Sequence, residues 1–289
     1  MYNGWLIYSN EDIQANKAYI DWFIEEAALQ SIQLELVRRE DLMIGIHNKQ
    51  QAIFRNGKAQ AMPDFAVVRT IDPMLSLHLE SCEILVFNNS RIATICNNKA
   101  LTHHAVHQLH IPMVDTYYSK ASILGTIPPL PFPFVIKDVA GRGGKQVYLI
   151  TSEKEYKTCI QTLQRQEVII QTCPVKAGKD LRVFVVGKKI VASVLRESDT
   201  DFRANYKLGG NARLYRLNEQ EKNSIQTIIN AFDFGMVGID FLISEQGELL
   251  FNEMEDVVGS RTLSAVSNEN ILRLYVEHIN KQIQLKPHR

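Results

Sequence analysis

Several features are scarce in this 289-residue chain, and each scarcity narrows what it can be. No run of about 18 apolar residues occurs, so no membrane-spanning helix is expected. The opening, MYNGWLIYSNED, has no basic segment before its short apolar run, so no signal peptide is expected either. Excess charge of either sign is missing, with 32 basic and 32 acidic residues, which argues against nucleic-acid or anionic-membrane partners. Only four cysteines are present (Cys82, Cys96, Cys159, Cys173), scattered and without a C-x-x-C, which reads as reduced thiols in a cytoplasmic protein and not as a zinc or disulfide framework. No G-x-G-x-x-G follows the first apolar run, so nothing there points to a dinucleotide. Repeats and low-complexity tracts are lacking as well.

What remains is an ordinary globular composition, 45% apolar and 22% charged, long enough for two or three lobes. Apolar runs at Trp5–Tyr8, Leu34–Val37, Phe65–Val68 and Ile84–Phe87 read as strands. Between them, an apolar stripe through Ile20, Phe23, Ile24, Ala27 and Ala28 predicts a helix from about Asn16 to Leu29. Asp72-Pro73 reads as an N-cap followed by proline at the first helical position. This alternation predicts a small open α/β lobe. Further on, the pattern predicts helices at 97–109, 153–163, 218–232 and 268–282. It predicts strands at 134–137, 147–150 and 168–171, and a hairpin from Asp180 to Arg196.

Chemistry concentrates late in the chain, at Gly238 to Asp256 (GIDFLISEQGELLFNEMED). Two apolar runs flank Glu245-Gln246-Gly247-Glu248, a hairpin pattern with glycine in the turn. With Gln246-Gly247 as a two-residue loop, Ile243 opposes Leu250 and Asp240 opposes Glu253, about 4.5–5.5 Å apart, with Glu255 on the same face. Three carboxylates so placed either end a solvated hairpin or hold a hard divalent cation such as Mg²⁺. Upstream, Ala140-Gly141-Arg142-Gly143-Gly144-Lys145 joins two strands. It lacks the pattern of a P-loop or a Rossmann turn, yet its glycines and cations suit a flap over phosphates. Lys137 ends the strand entering that flap.

Taken in order, these segments resemble the ATP-grasp superfamily, in particular its RimK-like carboxylate–amine ligases. The resemblance rests on Asn98-Lys99-Ala100-Leu101, His110–Thr116, Phe134–Lys137 with the Gly141–Gly144 loop, and Ile169–Gln171. It continues through Gly178–Arg182, Asp201-Phe202-Arg203-Ala204-Asn205 with Gly209-Gly210, then Gly238-Ile239-Asp240 and Glu253-Met254-Glu255. It implies an α/β ATP-grasp fold preceded by an open α/β lobe, divided as residues 1–95, 96–170 (central lobe with flap) and 171–289 (lobe with the acidic hairpin). The implied reaction joins a carboxylate to an amine through an acyl phosphate, releasing ADP and phosphate. Lys99, Lys137, Gly141, Arg142, Gly143, Gly144, Gln171, Thr172, Cys173, Val175 and Asp180 would bind ATP. Asp240, Glu253 and Glu255 would hold Mg²⁺ (two ions, with Mn²⁺ as a substitute), and Arg182, Arg203 and Asn205 would act on the transferred phosphoryl group. The partner expected is a small molecule or peptide, with a homo-oligomer left open.

Three departures accompany the resemblance. The family usually has Asn where Glu255 stands. The S-P-G after the metal pair is replaced at Val257–Arg261, so the acceptor does not carry over. Pro174 stands near the position whose N–H usually meets adenine, leaving Val175 to supply it. Arg213 and Arg261 are candidate substrate contacts. Arg196, Lys207, Arg213 and Arg216 read either as a cationic mouth or as surface charge, and Arg38–Asp41 as a solvated turn. His103, His104, His107 and His110 read as a solvent-facing face in preference to a metal pair. Two rival functions remain: a small-molecule kinase of the same fold, and an ATP-binding regulatory protein without turnover.

Overall fold

The structure, a computed structural model, describes residues 1–163, 166–203 and 211–285. The first lobe is a parallel sheet of Ile32–Arg38, Tyr2–Tyr8, Phe65–Val68 and Leu85–Phe87, in that spatial order. Tyr2–Tyr8, Phe65–Val68 and Leu85–Phe87 read as nearly continuous apolar runs because both faces are covered, while the edge strand Ile32–Arg38 alternates buried and exposed residues. The first helix spans Asn10–Leu29, longer than its apolar stripe, with Ser9 accepting from the Asp12 N–H as the cap and a non-helical residue at Asn16. The Asp72 side chain caps Pro73–Ser81 as the sequence suggested, accepting from Leu75 N at 2.9 Å. A small antiparallel sheet, Leu42–His47, Gln50–Arg55 and Lys58–Ala59, stands beside this lobe. Arg39 in the Arg39–Asp41 turn is ion-paired to Asp72 at 2.6 Å, so that turn is tied to the helix cap instead of being merely solvated.

Two antiparallel sheets form the rest. The central one orders Val147–Ile150, Phe134–Asp138, Glu167–Thr172 and Thr116–Lys120. Its strands alternate. Phe134, Ile136, Ile150, Val168 and Ile170 bury one face against Tyr156, Cys159 and Leu163 of the helix Glu153–Leu163, while Val135, Lys137, Val147 and Leu149 point the other way. The second sheet orders Asn211–Leu214, Lys189–Glu197, Val175–Val186, Met236–Ser244 and Leu249–Glu255. Leu181, Val183, Val185 and Ile239 pack on Ile225, Ile228 and Ile229 of the helix Glu219–Ala231. That helix opens on a full capping box, Asn218 with Glu221. On the opposite face Phe184, Val186, Val194 and Met236 share one core with Leu6, Tyr8, Phe23 and Phe65 of the first lobe and Tyr275 of the last helix, Ile271–Leu285. The charged ends of those same strands are left free of that core.

The helix expected at 97–109 is Lys99–His107, capped by Asn98, and a further helix that the sequence reading did not place, Ser90–Cys96, precedes it. The later helix lies against the acidic hairpin. Its buried side is Thr102, His103 and Val106. His103 is fully buried, which corrects the solvent-facing reading for that residue; His104, His107 and His110 are exposed. The ring packs edge-on against Phe251, which in turn meets Phe241. Phe251→Ala should lower stability by about 3–5 kcal/mol through the cavity it opens, seen as a lower urea midpoint at unchanged slope.

Candidate functional site

The last two strands carry the acidic hairpin, and its register differs from the expected one in an instructive way. The connection is a four-residue loop, Glu245 to Glu248, with Gly247 at φ +92°. Ile243 therefore opposes Leu249, one residue short of the expected Leu250. A bulge at Asn252 then restores the count, so Asp240 does oppose Glu253. The extra residue puts the Asn252 side chain at the cleft, where its Oδ1 accepts from Lys137 Nζ at 2.8 Å. A second bulge, between Phe184 and Val185, sets Asp180 opposite Arg196 across the neighbouring hairpin.

Asp180, Arg182, Arg196 and Asp240 consequently lie on one face of three adjacent strands. Arg182 grips Asp240 through Nε and Nη2, both at 2.7 Å, and reaches Glu255 at 2.8 Å. Arg196 grips Asp180 at 2.6 and 2.7 Å and Asp240 at 2.9 Å. Arg196 is buried within this network, so it is neither a mouth nor surface charge. Burial alone would raise the Asp240 carboxyl; the two guanidiniums outweigh it and hold the group down to about 2. Asp180, with one arginine, is raised by burial to about 6.

Above this face lies a cavity of about 400 Å³, roofed by the flap and walled by the inward face of the central sheet. It brings together Lys99, Lys137, Gly141, Gly143, Gly144, Gln171, Thr172, Cys173, Val175, Asp180, Arg182, Arg203, Asp240, Glu253 and Glu255. Lys176, Lys179, Arg196 and Asn252, which sequence reasoning did not place there, line it too. Arg142 turns away from it, donating to Asn97 at 2.9 Å and lying 3.7 Å from Asp256, whose carboxyl burial raises to about 6. Lys99 donates to the Gly141 carbonyl and lies 3.4 Å from Glu253. Arg203 is clamped by Asp201 and donates to the Gly144 carbonyl, so the flap is held from both sides. Gly178 makes that clamp feasible. At φ +70° it bonds the Ser198 and Phe202 backbone, and a Cβ there would sit 2.2 Å from the Ser198 carbonyl oxygen.

Arg213 and Arg261 are not at the cavity: Arg213 pairs with Glu197 at 3.3 Å, and Arg261 donates to the Ala15 carbonyl at 2.9 Å. Asn205, Lys207 and Gly209-Gly210 lie outside the described residues. Among the described residues no three His, Cys, Asp or Glu side chains converge on one metal position. Asp240 faces its arginines, Glu253 faces Lys99, and Glu255 faces Arg182. Glu253 and Glu255 are each about a third exposed to the cavity, and with the Asn252 oxygen they supply hard donors of the kind Mg²⁺ takes.

Lys137 is the electrostatic anomaly. Its hydrogen bond goes to a neutral amide, not to a carboxylate. Burial, with Lys99 beside it, pulls its ammonium down to about 8 against the opposing pull of Glu253. Seven cationic side chains face four acidic ones around the cavity among the described residues, an excess suited to a polyanion. Because the folded value lies below the unfolded one, the folded protein holds fewer protons between about pH 8 and 10.5, and stability rises with pH across that window. Relative to Lys137→Met, the wild type should gain roughly 2.5 kcal/mol from pH 8 to pH 10.5, measured by denaturant unfolding of both proteins.

Comparison with known proteins agrees with this geometry. Residues 96–279 match the family model of the RimK-like ATP-grasp domain. A probable alpha-L-glutamate ligase of Haemophilus ducreyi is 28% identical over 225 residues, 75% of this chain and 73% of that one. An ATP-grasp RimK domain protein of Sphaerobacter thermophilus superposes with a TM-score of 0.74 at 16% identity, covering 96% of this chain and 98% of the other. The ATP-grasp ligase PsnB, solved with a phosphomimetic precursor variant, Mg and ADP, gives 0.72 at 13% identity, covering 97% and 98%.

Proposed function

The chain belongs to the RimK-like ATP-grasp family, and within it we propose that this protein is an ADP-forming ligase that joins a carboxylate to the amine of an amino acid or peptide. The observation that carries the reading is Lys137, a half-buried lysine with no carboxylate partner among the described residues, set between a glycine flap and two cavity-facing carboxylates. That arrangement lacks one thing electrostatically, a phosphate chain. Glutamate is the first amino acid to test, since the Haemophilus relative is named for it.

In this reading Lys99 and Lys137 hold the α- and β-phosphates. The inward face of Val135 and Leu149 opposes Leu242 across the cavity and receives the base, with Thr172, Cys173 and Val175 along its edge. Glu253 and Glu255 would hold Mg²⁺, with Asp240 joining them on exchanging an arginine contact. We read two ions, for which Mn²⁺ can substitute; bound there, they supply charge neutralisation for the transferred phosphoryl group. Arg182 and Arg203 face the γ-phosphate, and Asn205 is proposed to join them. The substrate carboxylate attacks that phosphorus and ADP leaves, giving an acyl phosphate. The amine then attacks the acyl carbon, and phosphate departs as the amide forms. The flap, held through Gly141 and Gly144, keeps water from the acyl phosphate meanwhile. We read residues 1–95, 96–170 and 171–289 as the three working parts.

ADP release screened over pairs of amino acids and small carboxylates, with mass spectrometry of products, tests the reading. Release should require both an amine and a carboxylate. A stable phosphoester formed from one substrate would make the protein a kinase, and ATP binding without turnover a regulatory protein. Glu253→Ala should cut turnover by at least ~10²-fold; full activity in that variant contradicts the metal assignment.

A further inference from the structure

Gln171 is the penultimate residue of the strand Glu167–Thr172 and stands in register with Val135 on one side and Thr116 on the other. It therefore shares the cavity-facing side of the central sheet with Lys137 and Val135. Its side-chain amide nitrogen donates to Thr116 Oγ1 at 2.9 Å and lies 3.4 Å from His103 Nε2. The Thr116 hydroxyl proton is already committed to the Val114 carbonyl at 2.9 Å, so Oγ1 can only accept. An amide nitrogen only donates, so His103 presents the Nε2 lone pair and carries its proton on Nδ1. Among the described residues Nδ1 is buried with no well-aligned hydrogen bond, and the Asn252 backbone beside the ring favours a proton there. Burial and the nearby Lys137 lower the ring's proton affinity to a value of about 3, which keeps the imidazole neutral.

Each partner alone is adaptable, because a hydroxyl rotates and a neutral imidazole changes tautomer. Reversing the amide would require both at once, together with loss of the Val114 bond. Among the described residues no donor reaches Gln171 Oε1, and the amide oxygen is the part left for the cavity.

We propose that His103, with Thr116, is a positioning residue that locks the Gln171 amide with its oxygen toward the cavity, so that the site selects a base presenting an exocyclic amine, adenine, over one presenting a carbonyl there. This rests on the nucleotide reading given above. A free amide would turn its NH₂ toward a 6-oxopurine and accept both bases. A locked one meets that carbonyl with its own oxygen.

The test is calorimetric binding of MgATP and MgITP to the wild type and to His103→Phe, His103→Gln and Thr116→Val. The wild type should prefer ATP by at least ~10-fold. His103→Phe keeps the ring and loses the acceptor, and should bring the ratio to within ~3-fold, chiefly by tighter ITP binding. His103→Gln places an oxygen where Nε2 stands and should restore the preference. Thr116→Val should relax it and carries the same prediction if His103→Phe does not fold. An unchanged ratio in His103→Phe or Thr116→Val, or equal weakening of both nucleotides, overturns the proposal. A wild type that binds ATP without preference overturns the proposal alone, and one that binds neither overturns the nucleotide reading with it.

Discussion

Two arginines bridging two aspartates across three strands hold the concave end of the larger sheet together. Arg196 is buried and Arg182 nearly so, and each is tolerable only because Asp180 or Asp240 lies beside it with well-formed, bidentate hydrogen bonds. The strands that carry them turn apolar a few residues on. Phe184, Val186 and Val194 continue the same face into the core shared with the first lobe. One sheet face thus does two jobs, docking at one end and charge display at the other. The boundary between them fixes where a cavity can exist.

Above that boundary the cations of the cavity are held by the flap and by neighbouring side chains. Lys99 leans on Glu253 and the flap, Arg203 on Asp201 and the flap, and Lys137 on an amide. Each cation keeps a weak or exchangeable partner. On the nucleotide reading proposed above, the flap carbonyls of Gly141 and Gly144 hold the places of phosphate oxygens, and a polyphosphate would replace those contacts instead of creating order from nothing.

Much of this was legible in the chain. The glycine loop and the Asp72-Pro73 helix start follow from residue chemistry and period, whereas Asp240 meets Glu253 because a longer turn and a bulge offset one another. What escaped has a common physical cause. Two β-bulges, at Asn252 and beside Phe184, add one residue to a strand without any glycine or proline to mark them. The first bulge hid Asn252, and the second sets Arg196, which the sequence offered as a mouth or surface charge, opposite Asp180. His103 escaped for another reason. Four histidines in eight residues look polar, yet Thr102, His103 and Val106 form the buried stripe of their helix, and the i, i+3 spacing from His103 to Val106 was the available signal. The loop after Glu255 stayed illegible because its apolar Val257 and Val258 carry no chemistry of their own.

The most direct test of the central claim is whether the Lys137 ammonium is completed by phosphate. Calorimetric titration with MgADP at pH 8, in buffers of different ionisation enthalpy, counts protons taken up on binding. A lysine pulled down to about 8 is half deprotonated at that pH and regains its proton beside a phosphate. The account predicts uptake of about half a proton, lost in Lys137→Met. Tight binding with no proton uptake, or the same uptake in that variant, would contradict it.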